Sequence, residues 1–97
     1  MIYLSGPITN KDPKIQQWNL DNMNAKAKEL RAKGLTVFNP AELEEEAKEW
    51  GYYLARDLKW IFENKPDFYF MKGWKKSLGC KLEHEAYKLL GTLADYE

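Results

Sequence analysis

The stretch DFYFMKGWKKSLGCKLEHEA, residues 67–86, joins an aromatic run to a helix-forming segment. Asp67 to Met71 is nearly all apolar, which is typical of a strand that is covered on both faces of a parallel sheet. Gly73 and Trp74 turn the chain, and Ser77 stands where the next helix begins. Residues 67–86 therefore predict a buried strand, a turn and a helix in succession.

The helix that starts at Ser77 carries apolar residues at helical spacing. We expect four of its side chains to face the core, namely Leu78, Leu82, Ala86 and Leu89. Glu83 is predicted to lie on a different face from the first three of these. Gly91 ends the helix, and Thr92 to Tyr96 is a candidate fourth strand.

The same alternation appears upstream of residue 67. Met1 to Leu4 is a short apolar run that stops at Ser5-Gly6-Pro7, as a buried strand does when it opens into a loop. Leu35 to Phe38 is predicted as a second short strand, which Asn39-Pro40 closes. Pro66 separates the preceding helix from the third strand.

Helical spacing recurs between the strands. Asp12 and Pro13 are typical of an N-cap and a first helical residue, and Gly34 of a stop. The expected core-facing residues of this helix are Ile15, Trp18, Asn22 or Met23, Ala27 and Leu30. A polar helical stretch is predicted over Glu42 to Lys48. The next helix, from Trp50 to Glu63, is expected to present one apolar stripe of Trp50, Leu54, Leu58, Ile61 and Phe62.

Strands that alternate with helices pair in parallel through right-handed crossovers. The sequence therefore predicts one domain over residues 1–97, a doubly wound α/β sandwich around a small parallel sheet of three or four strands. Ligands of such folds bind at the carboxyl ends of the strands, near the switch in strand order. The loops Ser5 to Asn10 and Lys72 to Gly79 are accordingly the expected location of a site.

Charge and hydropathy exclude several classes of partner. The 97 residues contain 15 Lys and Arg against 15 Asp and Glu, so the chain lacks the surplus of cations that nucleic acids or an anionic membrane surface attract. No apolar run approaches the roughly 20 residues that span a bilayer. We expect a globular domain of the cytoplasm, with no nucleic-acid or membrane partner.

The lone Cys and lone His limit the available chemistry. Neither a disulfide framework nor a metal site is expected from one residue of each type, and no dinucleotide or Walker motif predicts a cofactor. Cys80 is predicted to be a packing residue or, near a helix N-terminus, a thiol of lowered pKa. His84 is predicted to lie at the surface or to be partly buried. Carboxylates are the remaining candidates for chemistry.

Two carboxylates attract attention. Glu83 lies near the start of its helix, where the macrodipole favours an ionised carboxylate, the form that attacks a sugar carbon. Asp57 lies beside the apolar stripe of the preceding helix, and two carboxylates can divide the duties of glycosidic cleavage. Each residue, taken alone, is also explained as an ordinary surface charge, Asp57 beside Arg56.

Small and aromatic residues occupy the expected site loops. Gly6 to Thr9 and Gly73 to Gly79 let backbone amides approach an anion, and Ser77 either caps its helix or offers its hydroxyl to a phosphate. Trp74 and the cluster Trp50 to Tyr53 either stack on a base or pack in the interior or in a subunit interface.

Taken in order, these segments resemble the nucleoside 2-deoxyribosyltransferase superfamily, and more closely its short, phage- and bacteria-borne DUF4406 branch. The most specific part is Gly-Trp-x-x-Ser-x-Gly-x-x-x-Glu, from Gly73 to Glu83, followed by Tyr-x-Ser-Gly-Pro, from Tyr3 to Pro7. The resemblance covers nearly the whole chain. It implies a flavodoxin-like α/β sandwich that cleaves the N-glycosidic bond of deoxynucleosides or their 5′-monophosphates.

The resemblance also implies roles for individual residues. Glu83 would be the nucleophile that attacks C1′, Asp57 would hold the sugar or assist protonation of the departing base, and Tyr3 would orient the nucleophile. The implied substrate-binding residues are Ser5, Gly6, Pro7, Gly73, Trp74, Ser77 and Gly79.

Ser77 bears on the substrate class. Six residues before the nucleophile, the transferases typically carry an Asp that contacts the sugar hydroxyl, whereas the related deoxynucleoside-monophosphate hydrolases carry a Ser that contacts the 5′-phosphate. Serine at this position favours a nucleotide, because a hydroxyl and helix amides suit a phosphate that a carboxylate would repel.

Three functions are compatible with the sequence. The first is an enzyme that hydrolyses a 2′-deoxynucleoside 5′-monophosphate or exchanges its base. The second is a nucleotide-binding module that senses or sequesters its ligand without turnover, and the third is a small oligomeric scaffold. A chain of 97 residues holds only a modest core, so we expect a homodimer or higher homo-oligomer in which a second subunit completes the pocket.

Overall fold

The computed structural model describes residues 1–43 and 49–97. Strands and helices alternate along these residues as β1 (Ile2–Ser5), α1 (Pro13–Ala32), β2 (Val37–Phe38), α2 (Trp50–Asn64), β3 (Asp67–Phe70), α3 (Leu78–Leu90) and β4 (Ala94–Tyr96). Two short 3-10 helices, Pro40–Glu42 and Trp74–Lys76, follow β2 and β3. A polar helix was predicted over Glu42 to Lys48. Glu42 is the last residue of the 3-10 helix Pro40–Glu42, and residues 44–48 lie outside the described ranges.

The four strands form one sheet in the order β2-β1-β3-β4, and every pairing is parallel. The central pair, β1 and β3, is aligned from Ile2 opposite Asp67 to Ser5 opposite Phe70. The chain leaves β1 for one edge and leaves β3 for the other, so the switch in strand order lies between these two strands. The prediction of a doubly wound, flavodoxin-like α/β sandwich is confirmed, with four strands.

Alternate residues of β1 face opposite layers of the sandwich. Leu4 packs with α1 in one core cluster, which comprises Leu4, Met23, Ala27, Leu30, Val37 and Met71. Tyr3 packs on the other face with α2 and α3, in a cluster of Tyr3, Ile61, Phe68, Phe70 and Ala86. Helices therefore cover the sheet on both sides, which explains why its strands carry so few polar residues.

The predicted helix ends are confirmed. The Asp12 side chain accepts a hydrogen bond from the Lys14 amide at 2.9 Å and caps α1, which begins at Pro13. Ser77 caps α3, and Gly91 ends it in the left-handed region at a φ of 69°. Among the described residues, none of the three helices combines the length and apolar character that crossing a membrane requires.

The predicted buried face of α3 is wrong except at Ala86, which is buried. Leu78 and Leu89 are 58% and 79% exposed and Leu82 is also exposed, whereas the buried residues of α3 are Cys80, Glu83 and Ala86. Glu83 thus shares the face of Ala86, contrary to expectation. The leucines do form a stripe at helical spacing, but periodicity alone does not say which side of a helix meets the sheet.

The apolar stripes of α1 and α2 are confirmed only in part, since Met23, Ala27, Leu30 and Ile61 are buried. Ile15 and Trp18 of α1 and Trp50 and Phe62 of α2 are exposed, and two polar residues, Asn19 and Asp57, are buried instead. The second strand is shorter than predicted, because Leu35 and Thr36 precede β2 and Leu35 is exposed. Parts of α1 and α2 thus turn a polar side chain inward and apolar side chains outward.

Candidate active site

A cavity of about 790 Å³ opens at the carboxyl ends of β1 and β3, where the strand order switches. Its walls come from the loop after β1, the start of α1, the first half of α2, the loop after β3 and the first turns of α3. Both site loops predicted from the sequence contribute to it. Glu83 and Asp57 line this cavity together with Tyr3, so the three residues assigned to catalysis are brought together.

The Glu83 carboxylate is held by two hydroxyl groups. Tyr3 Oη donates to Oε2 at 2.6 Å, and Ser5 Oγ donates to Oε1 at 2.8 Å. Tyr3 and Ser5 are two positions apart on β1, so both side chains leave the same face of the strand. Because α3 packs over that face, Glu83 meets both hydroxyls at once. The carboxylate orientation is thereby defined through both of its oxygens.

Burial dominates the electrostatics of Glu83. The side chain is only 6% exposed, and loss of water raises its pKa from 4.5 to about 7. The hydrogen bonds from Tyr3 and Ser5 oppose this rise, while the charge of Asp57 adds to it. A carboxylate near a helix N-terminus is expected to ionise readily, but burial makes Glu83 a group that changes its protonation near neutral pH.

Tyr3 remains a hydroxyl donor at neutral pH. The ring is fully buried, and burial followed by the nearby charge of Glu83 raises the pKa of its phenol well above 10. The ring is also fixed by aromatic neighbours, Phe38 at 5.7 Å and Phe68 at 5.8 Å between ring centroids. A rigid donor of this kind keeps Glu83 in one orientation.

Asp57 is buried with an arginine beside it. Arg56 Nε and Nη2 donate to Asp57 Oδ1 at 3.0 and 2.9 Å, and the guanidinium also lies over the Tyr53 ring, 5.2 Å from its centroid. The positive charge of Arg56 lowers the pKa of Glu83. Sequence reasoning treated Arg56 only as the neighbour that made Asp57 look ordinary. Its position next to a candidate carboxylate was the available signal.

The loop after β1 approaches the core too closely for a side chain at Gly6. A Cβ atom there would lie 2.6 Å from Met23 Sδ and 3.0 Å from Met71 Sδ. The next residue, Pro7, reaches across to the other loop, where a Cβ atom on Gly73 would lie 3.5 Å from Pro7 Cγ. Gly73 has a φ of 89°, which only glycine adopts readily. The two site loops therefore pack against each other.

The first turn of α3 forms a polar end of the cavity. The Ser77 hydroxyl accepts a hydrogen bond from the Cys80 amide at 3.3 Å and can still donate its own hydrogen. The first amides of a helix lack intrahelical partners and carry partial positive charge. Gly79 has no side chain to cover this turn. A Cβ atom there would make only ordinary contacts, 3.8 Å from the Trp50 ring and 3.9 Å from Ser77 Oγ. Lys76 also lines this part of the cavity.

Two of the implied substrate-binding residues are placed differently from expectation. Ser5 is 1% exposed, and its hydroxyl is directed to Glu83. The Trp74 ring is not among the described residues that line the cavity; it stacks on His84, 4.4 Å away between centroids, and packs near Tyr96. Packing, the alternative that the sequence left open for Trp74, is the one observed. Trp50 and Tyr53 do line the cavity.

Cys80 and His84 are held by packing and hydrogen bonding inside the fold. Burial raises the pKa of the Cys80 thiol to about 11, so the packing role is the one supported and the lowered pKa is not. A 2.8 Å hydrogen bond joins His84 Nε2 and Tyr96 Oη, and burial lowers the pKa of this half-buried imidazole. At neutral pH Cys80 is therefore a neutral thiol and His84 a neutral imidazole.

Asn19 lines the cavity and escaped the sequence analysis. It lies on α1 and is 9% exposed. Its spacing of four and eight residues from Met23 and Ala27 places it on their buried face, which was the signal available. At this end of α1 the expected stripe ran through Ile15 and Trp18, which are exposed, and so it missed Asn19.

Comparison with known proteins identifies one family. A model of the family described as "Domain of unknown function (DUF4406)" matches residues 1–95. No curated protein matches the sequence.

Proposed function

We propose that this chain, which belongs to the DUF4406 family, cleaves the N-glycosidic bond of a 2′-deoxynucleoside 5′-monophosphate with Glu83 as nucleophile. One observation carries the proposal: a buried carboxylate, gripped by the Tyr3 and Ser5 hydroxyls, lines an open cavity that a second carboxylate also lines. The likeness of the sequence to nucleoside 2-deoxyribosyltransferases supports the same chemistry.

The reaction is a double displacement. A Glu83 carboxylate oxygen attacks C1′, the C1′–N bond breaks, and the base departs with the bonding electron pair and takes up a proton. The resulting glycosyl ester is then attacked at C1′ by water, which loses one proton to solvent; the C1′–carboxylate bond breaks, deoxyribose 5-phosphate is released and the carboxylate is restored. A second base in place of water would give base exchange. Both steps invert C1′, so the overall outcome is retention.

Glu83 must be ionised to attack, and its surroundings suit that requirement. A pKa of about 7 leaves a substantial fraction ionised at neutral pH, while burial makes the carboxylate a stronger nucleophile than a fully hydrated one. The Tyr3 and Ser5 hydroxyls stabilise the ionised form and hold it in place. Neither hydroxyl needs to transfer a proton in this scheme.

Asp57 is suited to holding the sugar. Its ion pair with Arg56 favours the charged carboxylate, which accepts a hydrogen bond from a sugar hydroxyl more readily than it delivers a proton. Protonation of the departing base is then assigned to solvent. The proposal therefore separates the two carboxylates by role: Glu83 forms the covalent bond and Asp57 orients the sugar beside it.

The polar end of the cavity suits the 5′-phosphate. Ser77 Oγ can donate one hydrogen bond, and the amides at the start of α3 and the Lys76 ammonium add positive potential. Zero net charge of the whole chain does not oppose this, because one phosphate requires only a local concentration of donors. A nucleotide is thus favoured over a nucleoside.

We extend the proposal to the assembly and the compartment. The cavity rim carries exposed apolar side chains, with Trp18 65% and Leu78 58% exposed, and a second copy of the chain would cover them. A homodimer or higher homo-oligomer would in this way enclose the substrate. The substrate class corresponds to the cytoplasm of a bacterial or phage-infected cell.

Incubation with the common deoxynucleoside monophosphates and nucleosides, followed by chromatography for free base, tests the activity. We expect base release from at least one monophosphate and none from the Glu83→Gln variant. Continued release by that variant would remove Glu83 as nucleophile. Calorimetric binding without release over long incubation would instead support a nucleotide-binding module that senses or sequesters its ligand.

A further inference from the structure

The side chain of Asn19 is a buried polar group on the α1 wall of the cavity, away from the carboxylates. It is 9% exposed, and it lies one helical turn from Met23, whose sulfur abuts Gly6 in the loop after β1. A polar side chain in such a position needs hydrogen bonds to offset the loss of water. Its two polar atoms are treated differently by the protein.

One end of the Asn19 amide is anchored. Nδ2 donates to the Ile8 carbonyl oxygen at 3.1 Å, which ties α1 to the loop after β1 and fixes which way the amide points. Oδ1 has no hydrogen-bond partner among residues 1–43 and 49–97. Within the same residues, every fully enclosed side-chain nitrogen or oxygen has a partner. Oδ1 therefore retains accessible surface, and the cavity that Asn19 lines is the space available to it.

We propose that Asn19 Oδ1 recognises the base of the substrate by accepting a hydrogen bond from one of its N–H groups. This inference rests on the proposed function, which places the sugar at Glu83 and the phosphate at Ser77. The base is attached at C1′ and the phosphate-bearing carbon at C4′, on the two carbons that flank the ring oxygen, so the base and the phosphate lead away from the sugar in different directions. With the phosphate at the start of α3, the base extends towards the remaining walls of the cavity.

The α1 wall has the character of a site for a planar ring. Ile15, Trp18 and Pro40 supply apolar surface there, and Asn19 adds a polar atom of fixed orientation. Ligand pockets commonly combine apolar walls with a few fixed polar groups that set specificity. The hydrogen bond from Nδ2 to Ile8 fixes the amide, so Oδ1 is offered to the base as an acceptor of defined orientation. The base must present an exocyclic amino or ring N–H group, and an analogue without that donor leaves Oδ1 unpaired.

Binding to a non-reacting protein tests recognition separately from catalysis. In the Glu83→Gln background, calorimetry compares 2′-deoxynucleoside 5′-monophosphates in pairs that differ by one donor: adenine with purine, guanine with hypoxanthine, cytosine with pyrimidin-2-one, and thymine with N3-methylthymine. Asn19→Ala removes the acceptor and the anchor together. Asn19→Asp keeps an acceptor but cannot donate to Ile8. Asn22→Ala, an exposed position on the same helix, is the matched control.

We expect the donor-bearing member of at least one pair to bind about ten-fold more tightly to the protein that has Asn19. Asn19→Ala should abolish this preference, whereas Asn19→Asp and Asn22→Ala should keep it. A preference that survives Asn19→Ala overturns the inference, as does equal affinity within every pair or the absence of any binding. An Asn19→Asp variant that loses the preference while it stays folded also overturns it, since anchoring alone would then explain the effect.

A separate measurement tests the proposed function, so that its failure can be distinguished from the failure of this inference. Chromatography of the protein that retains Glu83, on the same monophosphates, reports whether the base is released. Discrimination within a pair without release would leave Asn19 as the base-recognition residue of a binding module. Release without any effect of Asn19→Ala on discrimination would leave the enzyme and remove the role of Asn19.

Discussion

The Tyr3 hydroxyl donates a 2.6 Å hydrogen bond to Glu83 Oε2 in the interior, across 80 positions of sequence. The contact joins the middle of the central strand to the second turn of the last helix. Tyr3 and Glu83 lie within Tyr3 to Pro7 and Gly73 to Glu83, the two segments that carry the sequence resemblance most specifically, and the contact joins these two segments. The consequences of this contact for stability and for rate can be measured separately.

Burial of Glu83 makes the stability of the fold depend on pH. Its folded pKa of about 7 exceeds the ordinary 4.5, so the unfolded chain releases this proton first. The contribution of Glu83 is complete below pH 4.5 and is lost as the pH rises through about 7. The expected decrease in the free energy of unfolding is about 3 kcal/mol. Urea unfolding of the wild type and of Glu83→Gln across this range measures it.

The difference between the two proteins isolates Glu83. His84, whose pKa is lowered by burial, contributes stability of the opposite slope in an overlapping range, but it is present in both proteins. Stability of the wild type relative to Glu83→Gln should therefore fall between pH 4.5 and 7 and level off above. Curves that stay parallel throughout would show that Glu83 has an ordinary pKa.

Removing one hydroxyl from Glu83 should move the pH–rate profile. Tyr3→Phe keeps the buried ring but deletes a hydrogen bond that lowers the pKa of Glu83, so the acidic limb of kcat/KM should shift to higher pH. Base release at neutral pH should fall about ten-fold or more, since bonds to charged groups are strong. Ser5→Ala should act in the same direction through Oε1.

The matched control for the tyrosine variant is Tyr69→Phe on β3. Tyr69 is partly buried, packs against the core cluster on the other face of the sheet, and is not among the described residues that line the cavity. Its profile should coincide with that of the wild type. An acidic limb that stays in place in Tyr3→Phe, despite a reduced rate, would assign Tyr3 to packing alone.

Ser77 allows helix capping to be separated from phosphate binding. Ser77→Ala should lower the free energy of unfolding by about 1 kcal/mol through loss of the cap. Ser77→Asp keeps a capping side chain but places a negative charge where the phosphate is expected. We expect Ser77→Asp to retain stability and to lose its preference for monophosphates over nucleosides. The ratio of kcat/KM for the two substrate types measures this.

The outcome for Ser77→Asp distinguishes two arrangements of the substrate. A lost preference with nucleoside cleavage maintained places the phosphate at the start of α3. An unchanged ratio of kcat/KM would mean that the phosphate lies elsewhere in the cavity, and Ser77 would then serve α3 only as its cap.

Gly6 is expected to be intolerant of any side chain. In Gly6→Ala the added Cβ would lie 2.6 Å from the sulfur of Met23, which is 1% exposed and has little room to move. We expect a loss of about 1–3 kcal/mol in the free energy of unfolding, the usual cost of overfilling a core. Thermal or urea unfolding measures it.

Gly51→Ala on α2 provides the comparison for Gly6. A Cβ atom there meets no described atom within 4 Å, and alanine favours the helix, so this variant should be equally or more stable than the wild type. Equal effects of the two substitutions would contradict the close approach of Met23 to Gly6.

Much of the fold follows from signals that are local in the sequence. Asp12 with Pro13 begins α1, and Ser77 and Gly91 bound α3, because capping and left-handed φ values depend on a few neighbouring residues. Alternation of strands and helices was enough to predict the parallel sheet. The general rule for such sheets then located the cavity at the ends of β1 and β3.

Helical periodicity did not predict the buried face correctly where two faces of a helix both carry apolar residues. On α3 the leucine stripe predicted one face, yet the helix buries Cys80, Glu83 and Ala86. A carboxylate is costly to bury unless hydrogen-bond donors contact it, and the donors, Tyr3 and Ser5, lie on a strand that is far away in the sequence. On α1, Trp18 was predicted to face the core and is exposed, whereas the neighbouring Asn19 is buried.

Local patterns in the sequence were sufficient to predict the order of the elements, their caps, the class of fold and the end of the sheet at which the candidate site lies. These depend on periodicity, turns and strand direction, which short segments encode. Those patterns did not predict that Glu83 is buried beneath two hydroxyls, that Arg56 pairs with Asp57, or that Trp74 packs away from the cavity. The first and last of these depend on which helix face meets the sheet, which is settled by the fit of residues far apart in the chain; the pairing of adjacent residues depends on the side-chain conformation that the surrounding fold allows.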